Sequence, residues 1–258
     1  TSGSGTDLTI GATGTAIFTT SGAVGTSGNI FTTAIDQIGA STVAGNFYIA
    51  NDTSITLTGA LTTAASNGII SIDANTGTFA NGANTIASGS GDITITADAI
   101  TLGTSVTNSG AGNITIQPYS TGTTIGLNDA SGTLNLTSTE LGYLASAGTV
   151  TIGVSGGSGA ITAGSAGAID LSAETFGLTL IGGSFANTNT LTLAADKSLN
   201  ITGDTMSIGA ALTTSVTGNI TLQPKTTSTT IGLNDASGTL NLTSTELGYL
   251  ASAGTVTI

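Results

Sequence analysis

Carboxylates carry almost all the chemistry this 258-residue chain has to offer: there are 14 Asp and Glu residues against two lysines, with no His and no Cys. Both basic residues are Lys, at positions 197 and 225, so there is no Arg. Glycoside hydrolysis needs two carboxyl groups facing each other across the scissile bond, one with a raised pKa. Here Asp92, Asp98, Asp129, Asp170, Glu174, Asp196 and Asp204 are scattered, and Asp92, Asp129 and Asp204 stand beside Gly or Asn, where chain corners are expected. A lyase would also want Arg or Lys to neutralise a uronate, or His as the base. The expectation is therefore that the chain is not an enzyme, with no catalytic, cofactor-binding or metal residues assigned and no cofactor.

Without His or Cys, a transition-metal site of imidazole or thiolate ligands cannot be assembled. Calcium needs only carboxylates and carbonyls, but the GGxGxDxUx nonapeptide of calcium-binding β-rolls does not occur. Asp129 and Asp235, each in an LNDASG segment, read instead as turn residues that bond their own backbone. The Gly-rich stretch from Gly153 to Gly167 lacks the GK[ST] ending of a phosphate-binding loop and reads as corner or linker.

The net charge of −12 leaves no basic footprint for a phosphate backbone, so no nucleic-acid partner is expected. The apolar run Phe176 to Ile181 is broken by Gly and Thr far short of a bilayer span, so no membrane span is expected. Cysteine usage assigns no redox compartment. Six Asn-X-Ser/Thr triplets, at Asn51, Asn113, Asn135, Asn200, Asn219 and Asn241, permit glycosylation in a chain this rich in Asn and Thr.

Gly (39), Thr, Ser, Ala and Asn dominate, and only 6% of residues are charged where a typical soluble domain has about 25%. Disorder does not follow, because 38% of residues are hydrophobic and mean hydropathy is +0.38. The positional pattern is more telling. Thr123 to Ile152 and Thr229 to Ile258 are the same thirty residues, TTIGLNDASGTLNLTSTELGYLASAGTVTI, at an offset of 229 − 123 = 106. The long repeat is read as 47–152 and 153–258, strongest at 112–152 and 218–258.

Within it, apolar and small polar residues alternate at Ile93 to Ile95, Ile114 to Ile116, Ile125 to Leu127, Leu134 to Leu136, Val150 to Ile152, Leu191 to Leu193, Leu199 to Ile201 and Ile220 to Leu222. Each predicts a short strand with one apolar face. The motif returns after 21 residues from Ile93 to Ile114 and from Leu199 to Ile220, with apolar sites between near Ile100, Val106, Met206 and Leu212. Three short strands per turn predict an all-β parallel β-helix, a single continuous β-solenoid over 1–258. At 258/21 it would have about twelve coils, a rod about 60 Å long at the spacing of paired strands.

Ser138 to Ala145 and its copy Ser244 to Ala251 depart from alternation, with Leu141, Leu144 and Ala145 at helical spacing. A single helical turn or tight loop is expected there, capped by Thr139 or Ser138 with Glu140 near the positive end. Thr-X-Thr pairs such as Thr56/Thr58, Thr94/Thr96, Thr149/Thr151 and Thr190/Thr192 match the arrays of an ice- or mineral-surface binder, but Asn, Gly and Ala interrupt them. Ordinary solvent-facing β residues are the simpler reading. The ten aromatics are spread too widely for a carbohydrate-stacking platform and are expected to be core or corner plugs.

The segments LTSTELGYLASAGTVTIG from Leu136, GAITAGSAGAIDLS from Gly159, and the GNITL and LNITGD runs resemble the β-strand-repeat regions of large filamentous-haemagglutinin-like exoproteins and related bacterial adhesins. That resemblance covers roughly 90 to 258 and implies a right-handed parallel β-helix, export, and a role in adhesion, matrix or filament formation. The expected function is a structural extracellular or cell-surface fibre segment, part of a longer chain. Its expected partners are itself along the fibre, and a cell surface, glycan or matrix. A carbohydrate-active β-helix of tail-spike or lyase type, or an ice- or mineral-surface binder, is the alternative.

Overall fold

The structure, a computed structural model, describes residues 5–11, 13–65 and 67–258. Short parallel strands dominate it and stack into a β-solenoid. The chain forms two compact units, Thr1–Ser120 with Tyr143–Thr149, and Thr121–Gly142 with Val150–Ile258.

In the first unit the strands lie in three parallel sheets. One runs through Phe31–Ala34, Phe47–Asn51, Ile70–Asp73, Ile93–Thr96 and Ile114–Gln117. A second runs through Gln37–Ile38, Ile55–Leu57, Thr78–Ala80 and Ala99–Thr101, and a third through Ser41–Val43, Leu61–Thr62, Ile86–Ser88, Val106–Asn108 and Leu144–Ala145. Strands of two to five residues cannot persist alone, but here nearly all are paired above and below. Register places like over like: Phe47 over Ile70, Ile93 and Ile114, and Ile49 over Ile72, Ile95 and Ile116. All eight are buried, each worth about 1.5–3 kcal/mol relative to exposure. The intervening Ser71, Thr94 and Thr115 form the outward row.

The second unit repeats this plan. Leu178, Leu199 and Ile220 stack in one sheet, Ile161, Phe185 and Met206 in another, and Ile169, Leu191 and Leu212 in a third. The 21-residue spacing read from the sequence is the pairing register itself, Ile93 to Ile114 and Leu199 to Ile220.

The coil count is a correction: about ten coils form, not about twelve. Coils are not uniform, because Ile220 pairs with Val256, 36 residues on. The additional 36 − 21 = 15 residues hold two strands, Ile231–Leu233 and Leu240–Leu242, that pair with each other at a separation of nine. The first copy does the same, Ile125 pairing with Leu134. The LNDASG turn thus folds back against its own strand. This works because Gly126 and Gly132 have no side chain: a Cβ on Gly126 would run into the Asp129 carbonyl, and one on Gly132 into the Gly126 amide.

The expected helical turns are present but shorter than 138–145 and 244–251. The helices α1 (Ser138–Leu141) and α2 (Ser244–Gly248) are followed by the strands Leu144–Ala145 and Leu250–Ala251. The cap is also corrected: Thr137, not Ser138 or Thr139, is the N-cap. Its hydroxyl accepts from the Glu140 amide while the Glu140 carboxylate accepts from the Thr137 amide, a capping box. Thr243 and Glu246 reproduce it.

Candidate functional site

The carboxylates are not gathered into one place; several are spent tying one coil to the next. In the first unit Asp98 accepts from the Ser120 amide at 2.7 Å and the Ser120 hydroxyl, and Asp92 from the Asn113 amide at 2.7 Å. In the second unit Asp204 accepts from the Thr226 amide at 2.7 Å, the Thr226 hydroxyl at 2.6 Å and the Thr229 hydroxyl at 2.9 Å. Asp196 accepts from the amide and hydroxyl of Thr217. Each amide partner lies 21 or 22 residues along the chain. Charge-assisted bonds of this kind are among the stronger ones available to a polar surface.

Their electrostatics follow. The Thr226 hydroxyl and amide hold the Asp204 carboxyl below the usual carboxylate range. Asp129 and Asp235 bond within their own turns, accepting from the amides of Ser131 at 2.9 Å and Ser237 at 3.0 Å. For Asp129 burial pushes upward, but the bonds from Ser131 and Ser165 outweigh it and the carboxyl is lowered. Glu174 and Asp73 go the other way, raised by burial. Among the described residues no three carboxylates converge as a metal-binding group.

Buried amides and hydroxyls form a second set of clamps that sequence reasoning missed. Asn81 accepts from the Gly103 amide and donates to the Thr104 carbonyl; Asn187 accepts from the Gly209 amide and donates to the Ala210 carbonyl. The separation of Asn81 and Asn187 is 106, the long repeat, and the signal was there in Thr78-Phe-Ala-Asn81 against Ser184-Phe-Ala-Asn187. Ser146 donates to the Gly112 carbonyl at 2.6 Å and Ser252 to that of Gly218 at 2.8 Å, again 106 apart. Such groups are tolerated inside because their bonds are made.

The outward surface is mixed. Thr94 and Thr96 have Ser71, Asp73, Thr115 and Gln117 as lateral neighbours in their sheet, while Thr56 belongs to a different sheet of the same unit. The Thr-X-Thr pairs of the first unit therefore do not share one flat face. Aromatics are partly brought together: Phe18 meets Phe31 and Phe47 edge-on, with centroids 6.2 and 5.3 Å apart. Phe79, Phe176 and Phe185 are buried in the core. Gly153 to Gly167 is more than corner material, because it contains the core strand Ala160–Ala163. Among the six triplets Asn51 is buried and its Nδ2 donates to the carbonyls of Ile35 and Thr53, which removes it as a glycan acceptor in the folded chain. A shallow depression is lined by Asp7, Gly25, Asn29, Ile30 and Phe31. Among the described residues no helix is long and apolar enough to cross a membrane.

Ile231–Leu233 pairs with Leu240–Leu242 in a two-stranded sheet, and among the described residues no other strand pairs with it. No family model matches the chain, and no curated protein or solved structure shows significant similarity to it.

Proposed function

We propose that this chain is a load-bearing segment of an extracellular or cell-surface fibre, an adhesin or filament component whose work is reach, stiffness and display. The observation that carries the reading is the in-register ladder within each unit, reinforced by side chains that grip the following coil. Stacked parallel strands distribute tension over many backbone hydrogen bonds, and the Asp98, Asp204, Asn81 and Asn187 clamps add bonds at the corners, where ladders are weakest. The outward rows of Thr, Ser, Asn and Gln offer many weak, uncharged contacts, which suits multivalent attachment to glycan or matrix.

Employment of the carboxylates as clamps also weighs against the alternative of a polysaccharide-cleaving β-helix, since a general acid has to be free to exchange its proton with substrate. The test is electron cryo-microscopy of the native material at the source cell's surface. Elongated fibres with an axial layer spacing near ~4.8 Å support the reading. A compact, released monomer that depolymerises polysaccharide overturns it.

A further inference from the structure

Two Asn-Gly pairs stand in the first unit, Asn67-Gly68 and Asn81-Gly82. An Asn followed by Gly can cyclise, because the glycine has no Cβ to keep its amide nitrogen away from the Asn carboxamide. The fold treats the two pairs in opposite ways. Asn81 is fully buried and both ends of its carboxamide are in use: Oδ1 accepts from the Gly103 amide and Nδ2 donates to the Thr104 carbonyl. Asn67 lies on an exposed corner. Its Oδ1 accepts from the Ser90 amide at 3.0 Å, and among the described residues nothing accepts from its Nδ2. Gly68 has to be glycine for packing, since a Cβ there would run into the Gly45 carbonyl.

The second unit shows what the same corner does with an acid. Asp196 stands three residues before the strand Leu199–Thr202, as Asn67 stands three before Ile70–Asp73. Both have left-handed backbone, with φ of 63° and 56°. Asp196 accepts from the Thr217 amide of the following coil, as Asn67 does from that of Ser90. We propose that Asn67 is a site of spontaneous deamidation, which turns a neutral clamp into a carboxylate clamp of the Asp196 kind. The Gly68 nitrogen bonds to Asn67 Cγ as the Cγ–Nδ2 bond breaks, and the Gly68 amide proton leaves with Nδ2 as ammonia. Water then opens the succinimide ring, and cleavage between Cγ and the Gly68 nitrogen restores the backbone with aspartate at 67. No hydrogen bond is lost in the exchange, because Nδ2 held none, and the bond from Ser90 becomes charge-assisted. At Asn81 the same change would remove the donor to Thr104 and bury a charge, which the fold opposes.

This inference is independent of the fibre reading and is tested on the 258-residue protein. Proteolysis on the N-terminal side of aspartate places Asn67 in the peptide 52–72 and Asn81 in 73–91. Mass spectrometry of the digest, with fragmentation to locate the converted residue, then follows each Asn during storage in mildly alkaline buffer. The expected result for the folded protein is conversion at Asn67 at least about tenfold faster than at Asn81, and comparable rates in denaturant, where burial no longer separates them. Equal rates in the folded protein, or no conversion at Asn67, overturn the inference. The substitutions report on the product: Asn67→Asp is expected to leave the melting temperature at pH 7 unchanged or higher, and Asn81→Asp to lower it. A lower melting temperature in Asn67→Asp would show that the corner rejects a carboxylate, which overturns the clamp exchange.

Discussion

At the scale of single residues, the chain invests several of its few charges in the backbone of the next coil. Asp204 illustrates the consequence for pH. Its folded-state pKa is depressed by bonds from Thr226, so its stabilising contribution is present above the unfolded carboxylate value, about 3.9, and is lost as pH falls through the lower folded value. Asp7, Asp170 and Asp235 share that direction, each through hydrogen bonds; Asp73 and Glu174, raised by burial, oppose it. Melting temperature measured from pH 5 to 2 is expected to fall, and to fall less steeply in Asp204→Asn, which keeps an acceptor for the Thr226 amide but cannot titrate. An equal slope in the variant would remove Asp204 from the account. Val216 stores strain of a different kind: it is β-branched, exposed and held at φ 60°, a conformation costing an L-residue about 1–2 kcal/mol. Val216→Asn is expected to stabilise the protein by about 1 kcal/mol in chemical denaturation, since Asn enters that region readily. These clamps were not legible in the sequence, because Asp92 and Asn113, or Asp98 and Ser120, meet only through the register, which places residues 21 or 22 apart side by side. The N-cap was legible and misassigned: Thr137-Ser-Thr-Glu140 has the S/T-x-x-E spacing, which neither Ser138 nor Thr139 has.

At the scale of elements, alternation over three or four residues was enough to locate strands such as Ile93–Thr96 and Leu199–Thr202, because each inward apolar residue has a counterpart above and below. What alternation did not reveal is that two adjacent strands of one coil pair with each other. Ile125–Leu127 and Leu134–Leu136 each look like an ordinary wall strand, and only the LNDASG fold-back joins them, lengthening the coil and lowering the coil count. The repeated copies offer a direct measure of what stacking contributes. Ile125→Ala removes a side chain closed in by the following coil and is expected to cost about 2–5 kcal/mol. Ile231→Ala makes the same change in the same thirty-residue context where the side chain is exposed and is expected to cost less than about 1 kcal/mol. Equal losses by denaturant titration would mean that the two copies are equally enclosed.

At the scale of the whole molecule, the fixed spacing of short alternating segments, together with composition, foretold a β-solenoid more surely than any chemical motif. Few charges, many small residues and fixed spacing leave stacking of short strands as the way to bury Ile, Leu and Val. The in-register ladders bear this out in each unit. Function follows less directly, because no reactive group is singled out; the proposal rests on mechanics. The most direct test is single-molecule force spectroscopy on the 258-residue chain held at its two termini. The account predicts sustained load and release in steps of about 70 Å, one 21-residue coil drawn out at about 3.4 Å per residue, with lower release forces in Asp98→Ala and Asp204→Ala. Smooth extension without force steps would contradict it.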